Sequence, residues 1–469
     1  MLLKSPWNPW ISYGNGPIYR CLAISMAKDI VDGTIPPGAR LPAHRDLSFQ
    51  LAISLGTVTK AYALLERQGL VNAIRGRGMF VVEHPPLERS VVDLSVNFPP
   101  NVIPDRLLSA TLRSLAGNLD SETFGYDTPT QGRHEHRLAI AGWLQQYCAS
   151  VDAERMVLCA STQNAIMVVL QNFTASNICL ATDNIPFPQF CKIAALFGVE
   201  LVGIETDGEG IEPGALERAS QEAAARGKRM VLFSNHRLNN PTGKTMSGQR
   251  FEDIVRILRS KDMLVIEDDI YGAFADPNSS CFLDSLPDRT FYVTGVSKLL
   301  TPGVRIGVII PPPDRAEKTI DIVSATGAGL STIASSLLFK WIEDGVAGDV
   351  AAMTLEEAKY RRMLARRCFS SAQADITVCG LHAFVPMPYN VAVDFAERAS
   401  DAGILVTLPA RPLNGNVMDS GVRVCLGVPP RNVLARALET LGDIHKKISA
   451  PYTFKKDTPD IGPANMTVG

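Results

Sequence analysis

Seven apolar runs of strand length punctuate residues 154 to 312, and they restrict the possible folds more than any other feature of the chain. They are ERMVLCA, ASNICLATD, VELVGIE, KRMVLFSN, DMLVIEDD, RTFYVTGV and VRIGVIIPP. Many are apolar throughout instead of alternating, which is the pattern of strands buried on both faces by crossover helices. Helical stretches separate them, so the body is expected to be an α/β unit around a mostly parallel sheet. No repeat at a period of about 20 to 50 residues runs through it.

The first 80 residues differ in charge from the rest. They hold nine Lys and Arg against four Asp and Glu, whereas the whole chain carries a net charge of -2. A small basic head on an acidic body suits a polyanionic partner, because clustered positive charge releases counterions from phosphates; charge alone leaves a random surface imbalance equally open. Helical periodicity runs from Ile18 to Val31, with Ile18, Leu22, Met26 and Ile30 on one face. After the Ile35-Pro36-Pro37-Gly38 turn, a short helix is expected from Arg45 to Ala52. Ser54 stands as N-cap before a third helix, Thr57 to Gln68, whose buried face is Val58, Ala61, Tyr62 and Leu65. LVNAIRGRGMFVVE then reads as a hairpin with a basic tip.

This is the layout of a winged helix-turn-helix, whose third helix enters the major groove. The run GTIPPGARLPAHRDLSFQLAISLGTVTKAYALLERQGLVNAIRGRGMFV resembles the GntR superfamily of bacterial regulators. The resemblance implies that Arg45, Thr57, Thr59 and Lys60 face DNA and that Arg75 and Arg77 form the wing. Leu55 stands where many relatives carry Arg.

A length of 469 residues, at about 100 to 200 residues per domain, suits two to four domains. Glu83 to Arg89 is charged, aperiodic and holds two prolines. The expected division is therefore a winged-helix domain over 1–82, a linker over 83–92, a large domain over 93–450 and a polar tail over 451–469. With 46% hydrophobic and 20% charged residues the chain is neither disordered nor collagen-like. Nine cysteines form no CxxC pair and no Cys/His cluster at zinc spacing, so no metal is expected and a reducing compartment is. No run approaches the about 18 apolar residues of a membrane span, and MLLKSPWNPWISYGNG lacks an apolar signal core. A soluble cytoplasmic protein is expected.

Open α/β sheets place ligands at the C-terminal ends of their strands, and five places there carry polar groups. SNHRLNNPTG ends in the turn Asn240-Pro241-Thr242-Gly243, and VIEDDIYGAF presents Asp268 with Tyr271 three residues on. YVTGVSKLLTPGVRIG holds Ser297, Lys298 and Arg305. CASTQNAI joins a strand to a helix whose first amides, around Ser161, Thr162 and Gln163, suit a phosphate. SGVRVCLG sets Arg423 in an apolar strand, where it needs an anion or solvent. Singly, such an Asp serves as a helix cap, a Ser-Lys pair sits on a surface and Asn-Pro-x-Gly is a turn.

Together they suit one cofactor. A lysine amine forms a Schiff base with an aldehyde, an aspartate keeps a pyridine nitrogen protonated, and a phosphate takes a helix N-terminus with an arginine. These are the needs of pyridoxal 5'-phosphate. The order ASTQNA, DNIPF, NNPTG, EDDIY, SK with PGVRIG, and VRVCLG resembles fold-type I aminotransferases from about Asp93 to residue 447. With the GntR-like head, the whole chain resembles the MocR subfamily of GntR regulators.

That resemblance implies a mostly parallel large domain with a smaller α+β C-terminal domain. It implies that Lys298 holds the cofactor, Asp268 pairs with the pyridine nitrogen, Asn240 and Tyr271 bond the phenolic oxygen, and Phe187 stacks on the ring. Thr162, Gln163, Ser297 and Arg305 would take the phosphate and Arg423 an effector carboxylate, with Lys298, Asp268 and Tyr271 in the catalytic positions. Departures are Gly295, where relatives often have Ser or Thr; Ser161, where glycine is frequent; DNIPF for an acidic-Pro-x-Tyr pattern; and His136-Arg137 for Leu-Arg. The expected function is a homodimeric transcription regulator that binds double-stranded operator DNA and senses an amino acid or amine. The alternatives are a working aminotransferase, in which the head is vestigial or has another partner, and a regulator that has lost the cofactor.

Overall fold

The computed structural model describes residues 11, 17–31, 34–67, 70–74, 77–82, 91–117, 129–370, 376–409 and 411–449. Arg75, most of the expected linker and the expected tail lie outside these residues. The chain divides into two compact units, Met1–Val91 and Val92–Gly469.

The first unit consists of α1 (Ile18–Val31), α2 (His44–Gln50), α3 (Leu55–Arg67) and an antiparallel hairpin of β1 (Val71–Ile74) and β2 (Gly78–Val81). Its core joins Leu22, Met26 and Ile30 of α1 to Leu47 of α2, Val58, Ala61, Tyr62 and Leu65 of α3, and Val71 and Val81 of the hairpin. The Tyr62 hydroxyl donates to the Pro42 carbonyl at 2.8 Å, tying α3 to the turn before α2. Three details differ from the sequence expectation. Ile18 is 44% exposed, so the apolar stripe is covered only from Leu22 onward. Helix α2 stops at Gln50, because the chain turns through Ala52 at φ 49°, a left-handed conformation that ends a helix. Helix α3 starts at Leu55, not Thr57, because the Ser54 hydroxyl accepts from the amide of Thr57 (3.2 Å), and a cap bonds the third residue of its helix.

The second unit opens with β3 (Val92–Leu94), α4 (Asp105–Ala116), α5 (His134–Leu144), β4 (Val157–Cys159), α6 (Thr162–Leu170), β5 (Ile178–Asp183), α7 (Pro188–Leu196) and β6 (Glu200–Ile204). A small hairpin of β7 (Thr206–Asp207) and β8 (Gly210–Ile211) leads to α8 (Pro213–Ala225), β9 (Arg229–Ser234), α9 (Gly248–Ser260), β10 (Leu264–Asp268) and α10 (Phe282–Ser285). Then come β11 (Thr290–Gly295), β12 (Gly307–Ile310), α11 (Ala316–Thr326), α12 (Thr332–Glu343) and α13 (Val346–Ser370). The unit closes with β13 (Thr377–Cys379), β14 (His382–Pro386), α14 (Tyr389–Asp401), β15 (Ile404–Val406), β16 (Gly421–Cys425) and α15 (Arg431–Ser449).

The seven apolar runs supply the strands of one sheet, in the order β4-β12-β11-β10-β9-β5-β6. All run in one direction except β12, which is antiparallel to both its neighbours. Every residue of β10 and β11 is buried, as two covered faces require. The ends of β4, β5, β9, β10 and β11 therefore meet at one edge of the sheet. A smaller antiparallel sheet, β13-β14-β16, packs with α13, α14 and α15 around a second core, and β3 joins it by pairing in parallel with β15.

Candidate functional site

Helix α6 begins where β4 ends. The Ser161 hydroxyl accepts from the Asn164 amide at 3.1 Å, so it is engaged as the cap, and the Thr162 and Gln163 amides of the first turn lack intrahelical acceptors. The Thr162 hydroxyl is buried and has no partner. Two glycines let this turn press on the sheet. A Cβ on Gly307 would lie 2.3 Å from the Ser161 carbonyl oxygen, and one on Gly295 would lie 2.6 Å from Thr162 Oγ1 and 2.5 Å from the Ile306 carbonyl oxygen. The space that a side chain at position 295 would need is thus taken by the Thr162 hydroxyl.

Strand β10 ends in Glu267 and Asp268, and Asp269 follows directly; the three acids alternate between environments. Glu267 accepts from the amides of Phe282 and Leu283, both at 2.9 Å, at the start of α10. Asp269 takes Arg237 Nη1 at 2.9 Å and the Tyr292 hydroxyl at 2.8 Å. Asp268 is 6% exposed and its Oδ1 has no partner. Burial, chiefly, raises its pKa to about 7; Asp269 adds to the rise, while the Ile270 amide and Lys298 oppose it.

Lys298 donates from Nζ to the Asn97 carbonyl, and its nitrogen lies 5.8 Å from the centre of the Phe98 ring. Burial and then Arg423 lower its pKa to about 8, against the pull of Cys425 and Asp268. Arg423 is 7% exposed and meets only neutral acceptors among the described residues. These are Asn240 Oδ1 at 2.6 Å, the Ser95 carbonyl at 3.1 Å and Thr407 Oγ1 at 3.2 Å. The Tyr271 hydroxyl lies 2.7 Å from Asn97 Nδ2.

One cavity of about 260 Å³ is lined by Lys298, Asp268, Asn240, Tyr271, Phe187, Thr162, Gln163, Ser297, Arg305 and Arg423. The fold thus brings together residues drawn from six separate motifs. Arg305 is exposed and adopts φ 50°. The segment Ser95 to Phe98 also lines the cavity and was missed from sequence. Its single signal is the aperiodic Asn97-Phe98-Pro99-Pro100. His136 and Arg137 serve the interior instead: His136 Nδ1 lies 3.0 Å from Ser335 Oγ, and Arg137 donates to the carbonyls of Ala153 and Gly132. The fold also gathers Cys148, Cys281 and Asp284 so that their ligand atoms lie within 4.8 Å, although sequence spacing gave no such cluster; Arg237 Nη1 already stands 2.9 Å from Cys281 Sγ.

In the first unit Arg45, Thr59, Lys60 and Arg77 are exposed. Thr57 is half-buried and its hydroxyl lies 2.8 Å from that of Ser54, while the Thr59 hydroxyl donates to the Leu55 carbonyl at 3.0 Å. Lys60 Nζ lies 6.0 Å from the centre of the Tyr19 ring. Arg45, Lys60 and Arg77 have no ion pair among the described residues. No helix of the described residues is long and apolar enough to cross a membrane.

Residues 89–441 match the family described as aminotransferase class I and II, and residues 19–81 match the bacterial regulatory proteins of the gntR family. The chain is 23% identical to the HTH-type transcriptional regulator YdeF of Bacillus subtilis, over 90% of this chain and 93% of that one. It is also 23% identical to the HTH-type pyridoxine biosynthesis transcriptional regulator PdxR of Corynebacterium glutamicum, over 88% and 93%. Among solved structures, an archaeal alanine:glyoxylate aminotransferase superposes with a TM-score of 0.70 at 18% identity, over 84% of this chain and 95% of that one.

Proposed function

The chain belongs to the aminotransferase class I and II family and carries a GntR-family DNA-binding domain before it, the MocR arrangement, and from this premise we propose a transcription regulator whose body binds pyridoxal 5'-phosphate and senses an amino compound. The observation that carries this is a set of unmet needs in one cavity. Asp268 and Thr162 each have a buried oxygen without a partner, Arg423 is buried without a carboxylate among the described residues, and Lys298 is an amine made easier to deprotonate. A phosphorylated pyridine aldehyde meets all four, so the residues present fit the group.

Lys298 is the amine that would attach it. Asp268 would hold a proton at the pyridine nitrogen, because a buried carboxylate without a cation otherwise stays half-protonated near neutral pH. Asn240 and Tyr271 would bond the phenolic oxygen and Phe187 would cover one ring face. The first turn of α6, with Thr162, Gln163, Ser297 and Arg305, would take the phosphate. When bound, the cofactor supplies a protonated ring that draws electrons from an attached amine. Arg423 would exchange its neutral acceptors for the carboxylate of an amino-acid effector, which its fork suits.

The head would bind operator DNA through Arg45, Thr57, Thr59, Lys60, Arg75 and Arg77, and two heads of a homodimer would read paired half-sites. Supporting a homodimer, Leu108 and Leu112 of α4 are 41% and 46% exposed one turn apart, and Leu138 and Ile333 on α5 and α12 are 50% and 45% exposed. The test is to load the purified protein with pyridoxal phosphate, reduce with borohydride and map the labelled peptide. Label on Lys298, absent from a folded Lys298→Ala variant, is the expected result; label on another lysine overturns the assignment.

A further inference from the structure

Asn97 belongs to none of the motifs that the sequence singles out, yet it meets two cavity-lining side chains and a buried histidine behind them. Its main-chain oxygen accepts from Lys298 Nζ. Its side-chain nitrogen lies 2.7 Å from the Tyr271 hydroxyl and 3.1 Å from His382 Nδ1. On the far side, His382 Nε2 lies 3.1 Å from the Pro241 carbonyl oxygen.

That last contact sets the direction of the row. A carbonyl oxygen only accepts, so Nε2 carries the ring proton and the neutral ring leaves Nδ1 as an acceptor. The ring is fully buried, and burial followed by the charge of Arg423 holds its pKa down to about 3, with Lys298 acting in the same sense and the Pro241 contact opposing. Cys379 Sγ also lies 3.6 Å from Nε2, and the Tyr271 ring lies 6.1 Å away between centres. An acceptor at Nδ1 must be met by an amide N–H, which turns the nitrogen of Asn97 toward both His382 and Tyr271. The second N–H is then given to the phenol oxygen, and the phenol proton is left to be donated elsewhere. The opposite amide orientation would set Asn97 Oδ1 against the Nδ1 lone pair. The orientation present leaves Oδ1 buried without a partner, a cost that the row imposes.

We propose that Asn97 is a positioning residue, and that the row Pro241, His382, Asn97, Tyr271 commits Tyr271 to donate its proton into the cavity, toward the phenolic oxygen of pyridoxal phosphate. This rests on the cofactor assignment above. Tyr271 alone would be free to accept or donate; with Asn97 and a neutral His382 behind it, it is a donor before any ligand arrives.

The readout is the absorption of the bound cofactor against pH in the full-length, loaded protein. A hydrogen bond donated to the phenolic oxygen stabilises it as an anion and lowers the pH at which the chromophore loses its proton. Tyr271→Phe, which removes the donor, is expected to raise that midpoint by about 1 to 2 pH units, the size of one charge-assisted bond. Asn97→Asp offers only acceptors when ionised and so draws the Tyr271 proton to itself; its new charge also raises the midpoint directly. The two effects separate in the Tyr271→Phe background, where only the direct one survives. The expected rise is larger by about 1 pH unit with Tyr271 present than without it. Equal rises in the two backgrounds overturn the role of Asn97, and an unchanged midpoint in Tyr271→Phe overturns the placement of the phenolic oxygen instead.

A second measurement needs no variant at position 97 and no cofactor. Nitrogen-15 spectra of the histidine-labelled protein, with the His382 signals identified by their loss in His382→Asn, should show a neutral ring protonated on Nε2 between pH 6 and 8. A proton on Nδ1, or a doubly protonated ring in that range, reverses the row and overturns the proposal.

Discussion

At the scale of single residues, Lys298 and Asp268 hold the least comfortable positions in the cavity. Each carries an ionisable group displaced by burial toward its neutral form, the lysine to about 8 and the aspartate to about 7. The directions have opposite meanings for an incoming aldehyde carrying a pyridine nitrogen. A lowered lysine pKa increases the share of free amine near neutral pH, and only the free amine attacks a carbonyl. Covalent attachment of pyridoxal phosphate should therefore speed up as pH rises from 6 and level off above about 8, whereas an ordinary lysine would still be gaining rate toward 10. Stopped-flow absorbance against pH measures this, and a rate still climbing steeply past pH 9 contradicts the assignment. The raised aspartate pKa works against the unliganded fold. Its carboxyl binds a proton more tightly when folded, so its ionisation costs stability as pH rises from about 4 through 7. A pyridinium partner removes that cost, so stabilisation by the cofactor should be smaller in Asp268→Ala than in the parent, as thermal unfolding with and without pyridoxal phosphate would reveal.

At the scale of elements, the seven strands were legible because runs without polar alternation have few ways to be buried other than as the inside of a covered sheet. Helix α3 was legible through its buried face and the Ser54 cap, and missed by two residues because the cap reaches to Thr57. The Ser95 to Phe98 segment left no comparable trace. It is held by partners far away in sequence: Lys298 is 201 residues from Asn97, and Arg423 is 328 from Ser95. Likewise β3 is a strand only because β15 pairs with it, Val92 opposite Ile404. Such contacts depend on the finished sheet, and no local periodicity announces them. The departure at Gly295 acquires a reason at this scale, since Thr162 Oγ1 and the Ile306 carbonyl occupy its side-chain space. Gly295→Ser should accordingly cost about 1 to 3 kcal/mol in urea unfolding, the range of an overpacked core. Stability within about 0.5 kcal/mol of the parent would show that α6 can retreat without loss. For α2, α3 and the hairpin, replacing Arg45, Lys60 and Arg77 by Ala should flatten the slope of log K for duplex DNA against log salt by about 0.9 per phosphate contact removed. An unchanged slope in a folded triple variant would place the DNA contacts elsewhere.

At the scale of the whole molecule, a head that binds DNA and a body that binds an amino compound form a regulator only if a ligand distinguishes two DNA-binding states. The proposed site would give the body the means to do so. On the proposed reading, an amino acid bound at the cofactor would leave Lys298 free, and its carboxylate would give Arg423 an anion in place of the neutral acceptors it now holds. Both are differential interactions, and coupling of this kind typically alters affinity by about 5- to 150-fold. The most direct measurement uses full-length protein loaded with pyridoxal phosphate and a duplex selected from a random pool for tight binding. Its affinity is titrated with and without each common amino acid and simple amine. At least one compound should shift duplex affinity in the parent protein and leave Lys298→Ala unmoved. An equal shift in both proteins, or no shift with any compound while the parent remains loaded, would contradict control of the head through the lysine site.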